Sequence, residues 1–120
     1  MKKVATGLVA AGVDMLVEGI EGTARVVPRD ERHNISRLLP GEILVTEMTD
    51  GSQEPNLLYA RALVTDRGGY TCHAALAANL FGIPAIVGAG TATAGITTGD
   101  RVRLTADGNV FIVDSTGPDL

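Results

Sequence analysis

Tryptophan is absent from this 120-residue chain, and Tyr59, Tyr70, Phe81 and Phe111 are all the aromatics it has. Aromatic cages and base-stacking platforms need several such rings, so neither can organise a binding surface here. The core has to come from Val, Ile, Leu and Ala, within the 45% of residues that are hydrophobic. Cysteine is nearly missing too. Cys72 alone makes no intrachain disulfide or thiolate cluster, and His33 and His73 are too few and too far apart to read as a metal site. A reducing cytoplasm is the expected setting. Positive charge is also short, since ten basic against fourteen acidic residues give a net charge of −4, with the cations scattered. Nucleic acid is a poor partner for such a chain. No stretch approaches the ~20 apolar residues of a membrane span, so no membrane is expected as a partner either. Met1-Lys2-Lys3 ahead of Val4 to Gly12 faintly resembles a signal peptide, but glycines interrupt the apolar run and no cleavage pattern precedes Asp14.

What is present reads as one domain, residues 1–120, without repeats or a linker. Ala24 and Val26 alternate with Thr23 and Arg25 as in a half-buried strand, closed by Pro28. Asp30 can cap a helical turn through Ile35, Leu38 and Leu39, which Pro40-Gly41 ends. Ile43-Leu44-Val45, Leu63-Val64-Thr65 and Ala85-Ile86-Val87 are short apolar runs of the kind buried on both faces. Residues 46–55 are loop formers, and 56–60 form a helical turn. A helix is predicted from Thr71 to Leu80, a stretch rich in Ala and Leu, with Gly82 as terminator and Pro84 beyond it. Arg101–Ala106, the pair Asp107-Gly108 and Asn109–Asp114 predict a hairpin. Short apolar strands alternating with helices, plus antiparallel strands from both ends of the chain, predict a mixed α/β domain.

The segment that carries chemistry runs from Val64 to Ala75, Val-Thr-Asp-Arg-Gly-Gly-Tyr-Thr-Cys-His-Ala-Ala. A strand ends, Gly68-Gly69 lets the backbone turn, and a helix begins with Thr71 at or near its cap. Unpaired amides and the positive end of the dipole make a helix start attractive to phosphate. His73 falls in that first turn, where the dipole disfavours imidazolium by ~0.3–1 kcal/mol and so favours a neutral, nucleophilic ring. Blander readings exist for each residue. A lone His at a helix start also serves as a cap or a solvent-facing group, and Gly-Gly is a common turn signal. Arg67 can neutralise phosphate or simply be solvated. Thr65 and Thr71 can donate to a phosphoryl group, and Thr71 can equally cap. Cys72 reads as a small buried or half-buried residue, since adjacent helical side chains point ~100° apart and rarely pair with each other.

These residues resemble the phosphohistidine domain of phosphoenolpyruvate (PEP)-utilising enzymes, and most of all its synthase, or pyruvate, water dikinase, branch. The likeness is carried by Gly68-Gly69-Tyr70-Thr71-Cys72-His73-Ala74-Ala75 and Gly82-Ile83-Pro84-Ala85-Ile86-Val87-Gly88, flanked by Pro40 to Thr46, Met48-Thr49-Asp50 and Gly99-Asp100-Arg101-Val102. It spans roughly Gly19 to Asp114. The resemblance implies a swivelling β/β/α three-layer fold with short mixed strands and the C-terminal hairpin. It also implies that His73 is the phosphocarrier, with phosphate contacts from Gly68, Gly69, Thr71, Arg67 and Thr65. ATP and magnesium would belong to partner domains, one binding nucleotide and one a barrel binding PEP or pyruvate, and this domain would bind no cofactor itself. The chain would then be one component of a phosphotransferase, not a complete enzyme. Two departures stand out: Asn79 where the family commonly has arginine, and a loop 50–55 without the tryptophan that synthases tend to carry. A non-catalytic docking module of the same family is the rival expectation, and a small enzyme using Cys72 is a third.

Overall fold

The computed structural model describes residues 1–27, 38–49, 57 and 59–113. Most of the predicted turn from Asp30 and the loop at 50–55 lie outside that set, as do residues 56 and 58 of the turn at 56–60. Along the chain come β1 (Lys2–Thr6), β2 (Leu8–Ala11), α1 (Val13–Leu16), β3 (Ile20–Val27), β4 (Ile43–Thr46), β5 (Ala62–Thr65), α2 (His73–Phe81), β6 (Ala85–Val87), α3 (Ala92–Gly95), β7 (Arg101–Leu104) and β8 (Asn109–Ile112). They form a mixed α/β domain around an eight-stranded sheet in the order β1-β8-β7-β3-β4-β5-β6-β2. Strands β3 to β6 run parallel to one another, and the remaining pairs are antiparallel. β3 links the two kinds of pairing, because its Ile20–Thr23 half pairs with β7 and its Ala24–Val27 half with β4. The expected antiparallel contribution from both chain ends is the β1–β8 pair, and the signal-like N-terminal run is itself two strands.

The short apolar strands are buried on both faces, which explains their lack of alternation. Ile43, Val45, Ala62, Val64 and Ile86 join one core with Val102, Leu104 and Val110 of the hairpin. Leu44, Leu63, Ala85 and Val87 point the other way, into a second core with Ala74, Ala77 and Ala78 of α2. Alanine on the inner face lets the helix approach the sheet closely, so the position of α2 is set by backbone-to-sheet packing.

Two predicted boundaries shift. The helix starts at His73 and not at Thr71, because Cys72 is extended (φ −69°, ψ 164°) and its sulfur accepts the Ala75 N–H at 3.4 Å. Gly82 ends it at φ +72°, as predicted. The hairpin is present, but its turn is closed by the Gly108 N–H on the Thr105 carbonyl at 3.0 Å, which centres it on Ala106 and Asp107. Gly108 follows at φ +86°, where a Cβ would stand 2.2 Å from the Gly7 carbonyl oxygen, so the β1–β2 junction dictates the shift. A hydrogen bond from the Thr105 hydroxyl holds the Asp107 carboxyl below its ordinary pKa.

Candidate functional site

The parallel register sets Thr46 beside Thr65, so the loops that leave β4 and β5 emerge side by side at the carboxyl ends of the strands. Ligands of parallel α/β sheets gather at that edge. The β5 loop, Asp66 to Cys72, leads into α2, and the Met48-Thr49 segment after β4 lies against it. Thr49 is buried, and its hydroxyl stands 3.0 Å from Nδ1 of half-buried His73. His73 is thus the first residue of a nine-residue helix, with its ring held from the neighbouring loop.

Backbone geometry makes Gly68 obligatory. Its φ is +120°, and an added Cβ would meet Cys72 Sγ at 2.7 Å and Met48 Cε at 2.9 Å. That sulfur is the helix cap, so it has little freedom to retreat. Gly88, at φ +65°, approaches the same loop so closely that a Cβ there would lie 2.7 Å from the Gly68 carbonyl oxygen. Gly69 differs: the space where its Cβ would stand is open, which leaves backbone accessible just before the helix.

Further hydrogen bonds fix the loop. The Asp66 carboxylate accepts the Thr93 N–H at 3.0 Å and the Thr93 hydroxyl as well, while the Asp66 carbonyl accepts the Gly90 N–H at 2.8 Å. Thr65 is fully buried, and its hydroxyl donates to the Arg67 carbonyl at 2.7 Å, so its hydrogen is committed to the turn. Arg67 is well exposed and lies 3.4 Å from Glu47 Oε1, a solvated pair of small energetic worth. Thr71 is exposed, and the cap is the Cys72 side chain. The predicted residues therefore gather at one sheet edge, with Thr65 beneath the surface and the others around the helix start.

Sequence reasoning passed over Thr49, Asp66 and Thr93 as site residues. Thr49 had a readable signal: it follows a wholly apolar strand next in order to the one preceding His73, so adjacent parallel pairing brings the two loops together. The Asp66–Thr93 clasp spans 27 residues and had none. Asn79, which stands where the resembled family commonly has arginine, donates from its side-chain amide to the carbonyls of Ala10 (3.2 Å) and Ala75 (3.0 Å), tying α2 to β2. Among the described residues no group of three or more His, Cys, Asp or Glu side chains could hold a metal ion, and no helix is long and apolar enough to cross a membrane.

Known proteins of similar sequence and shape are informative. Residues 38–118 match the model of the PEP-utilising enzyme mobile domain. Phosphoenolpyruvate synthase of Escherichia coli (strain K12) is 49% identical over 85 residues, covering 68% of this chain and 11% of the relative. Phosphoenolpyruvate synthase of Deinococcus radiodurans is 43% identical over 108 residues, covering 83% of this chain and 14% of the relative. The chain thus spans only about a tenth of the length of these curated relatives. Among solved structures, an Enzyme I protein aligns with a TM-score of 0.57 at 29% identity, over 66% of this chain and 33% of that one. Aconitase X of Thermococcus kodakaraensis shares the fold, with a TM-score of 0.65 at 18% identity over 92% of this chain and 98% of that one.

Proposed function

The chain belongs to the family of PEP-utilising enzyme mobile domains, and from that premise we propose that it is a phosphocarrier in which His73 receives a phosphoryl group at one site and delivers it at another. The observation that carries this reading is the 3.0 Å contact between Thr49 Oγ1 and His73 Nδ1 at the first position of α2. With the proton on Nδ1 donated to Thr49, the lone pair resides on Nε2. Nε2 attacks phosphorus, a P–N bond forms, and the P–O bond to the donor breaks with its electron pair leaving on the donor oxygen. Delivery reverses these steps on an acceptor oxygen. The resulting phosphoramidate is reactive enough to phosphorylate an enolate, and the helix start stabilises the added negative charge.

Phosphate contacts in this reading come from the exposed surroundings of the helix start: Gly68 and Gly69 backbone, Thr71 and Arg67. Thr65 supports them by shaping the turn through the Arg67 carbonyl. Arg67 can exchange its solvated partner Glu47 for phosphate at little cost. The finer architecture fits a swivelling body, with the antiparallel half, the parallel half and α2 as β/β/α layers. Leu76 and Leu80 stand one turn apart on the outer side of α2, and Tyr70 precedes the helix; all three are exposed, a surface suited to transient docking. Partner domains supply nucleotide, magnesium and the PEP or pyruvate barrel, with pyruvate as acceptor by likeness to the synthases.

The test is labelling with 32P-PEP, magnesium and the barrel domain of a phosphoenolpyruvate synthase. Acid-labile phosphate on His73, abolished by His73→Ala, is the expected result. No label on the wild-type chain under conditions that label the synthase's own mobile domain would overturn it. Asn79 in the family's arginine position favours the rival reading, a docking module without turnover. In that case His73→Ala binds the barrel as the wild type does and neither carries label.

A further inference from the structure

The amino ends of the same parallel strands, remote from His73, hold a groove of about 680 Å³. Glu42 and Arg61, immediately before β4 and β5, line it together with Glu21, Arg101 and the bare backbones of Gly22 and Gly41. A four-residue strand separates the two ends by ~13 Å or more, so the groove is no extension of the His73 surface.

The groove is lined by two arginines and two glutamates, and both glutamates are engaged by arginines that lie outside the lining. Arg25 forks onto Glu42 with two 3.0 Å bonds, and Glu42 also accepts the Leu39 N–H at 2.7 Å. Glu21 is shared by Arg103 at 2.9 Å and Arg101 at 3.6 Å. Arg61 is exposed, and among the described residues no carboxylate pairs with it. Arg25 and Arg103 thus engage the two carboxylates from outside the lining, and the cations that face the groove itself are Arg61 and Arg101. The Arg61 stem runs alongside Gly22, where a Cβ would stand 3.4 Å from Arg61 Cδ. Gly41, at φ +86° with open space around it, leaves the opposite wall uncovered.

We propose that this groove binds a small organic phosphate or diphosphate through Arg61 and Arg101. With Glu42 and Glu21 already paired to Arg25 and Arg103, Arg61 and Arg101 can turn to a dianion, and a guanidinium fork matches phosphate oxygens in pairs. The volume falls within the ~300–1,000 Å³ of small-molecule sites and exceeds what a free phosphate ion fills. The site is independent of phosphoryl transfer at His73 and would serve to retain or sense a phosphorylated metabolite.

The test is a titration of the 15N-labelled chain with pyrophosphate at low ionic strength, read by NMR. The expected result is saturable shifts of the Gly22 and Gly41 amides and of Arg61 Nε–H. Arg61→Gln should weaken that binding about tenfold, Arg61→Lys should weaken it less, and Arg101→Gln should act in the same direction as Arg61→Gln. Succinate should bind more weakly than pyrophosphate, and His73→Ala should leave the groove shifts unchanged. Thermal melts of each variant establish that it is folded. Shifts confined to residues 69–75, groove shifts indifferent to both arginine variants, or equal binding of succinate would each overturn the proposal.

Discussion

The two ends of strands β4 and β5 are built on opposite plans. At the carboxyl end, polar groups are spent on one another: Thr65 on Arg67, Asp66 on Thr93, Cys72 on Ala75 and Thr49 on His73. At the amino end, Glu42 and Glu21 are engaged by Arg25 and Arg103, and Arg61 has no acidic partner among the described residues. The first arrangement fixes one side chain in one orientation, as chemistry requires. The second leaves charge available, as capture of an anion requires. If that contrast is real, substitutions at the carboxyl end disturb stability and ring geometry together, and substitutions of unpaired groups at the amino end disturb neither.

The largest effect is expected at Gly68. A Cβ there meets the capping sulfur of Cys72 at 2.7 Å from a backbone at φ +120°. Strain and overpacking together put Gly68→Ala at ~2–4 kcal/mol, a fall in melting temperature on the order of 10 °C. Phosphorylation of His73 should be lost with the turn. A melting temperature within a degree or two of wild type would mean that the loop is not rigid, and the contrast between the ends would collapse. Gly69→Ala is the control: its Cβ enters open space, so it should melt near wild type.

Thr49 comes next. Thr49→Val keeps the buried shape and removes the hydroxyl from Nδ1, at a cost of about 1 kcal/mol in stability. A ring free to turn should slow phosphorylation by roughly 10- to 100-fold. The distinguishing readout is the 15N spectrum of His73, where the wild type should show predominantly the Nδ1–H tautomer and the variant a mixture. Thr49→Ser should restore both rate and tautomer. Unchanged tautomer populations in Thr49→Val would make Thr49 a packing residue only.

The difference in legibility between the two ends has a physical source. Wholly apolar runs at Ile43, Leu63 and Ala85 announce strands covered on both faces, and the glycine-glycine turn before an alanine-rich stretch announces the His73 helix, because these are local signals. The helix start slipped by two residues because a cysteine outcompeted a threonine for the cap, an unusual outcome given the weak acceptor strength of sulfur. The close approach of Gly68 to Cys72 explains it, since that turn holds Cys72 extended with its sulfur over the helix start. Long-range pairs were not readable: Asp66 with Thr93, Asn79 with Ala10, and the meeting of Arg61, just before β5, with Arg101 of β7 at one groove all depend on strand order. The eight-stranded order places β7 beside β3, something no local pattern encodes.

Asn79 is the third probe, intermediate in effect. Its amide gives two hydrogen bonds from a largely exposed position, so Asn79→Ala should cost ~0.5–1 kcal/mol and leave His73 phosphorylation unaffected. A reduced rate in a variant with a normal melting profile would instead place Asn79 at the docking face, in the role the family's arginine suggests.

Arg61 should give the smallest change in stability and is for that reason the most informative at the amino end. Its side chain is exposed and joins no ion pair among the described residues, so Arg61→Gln removes charge without stranding a partner. The expected change in unfolding free energy is within ~0.5 kcal/mol. The contrast sharpens further if stability is measured with pyrophosphate present. Wild type should then melt higher, because a ligand that binds only the folded chain adds RT ln(1 + [L]/Kd), and Arg61→Gln should lose most of that increment. A variant destabilised without ligand by as much as Thr49→Val would show that Arg61 is structural. The amino end would then follow the same plan as the carboxyl end, and the division of labour between them would be gone.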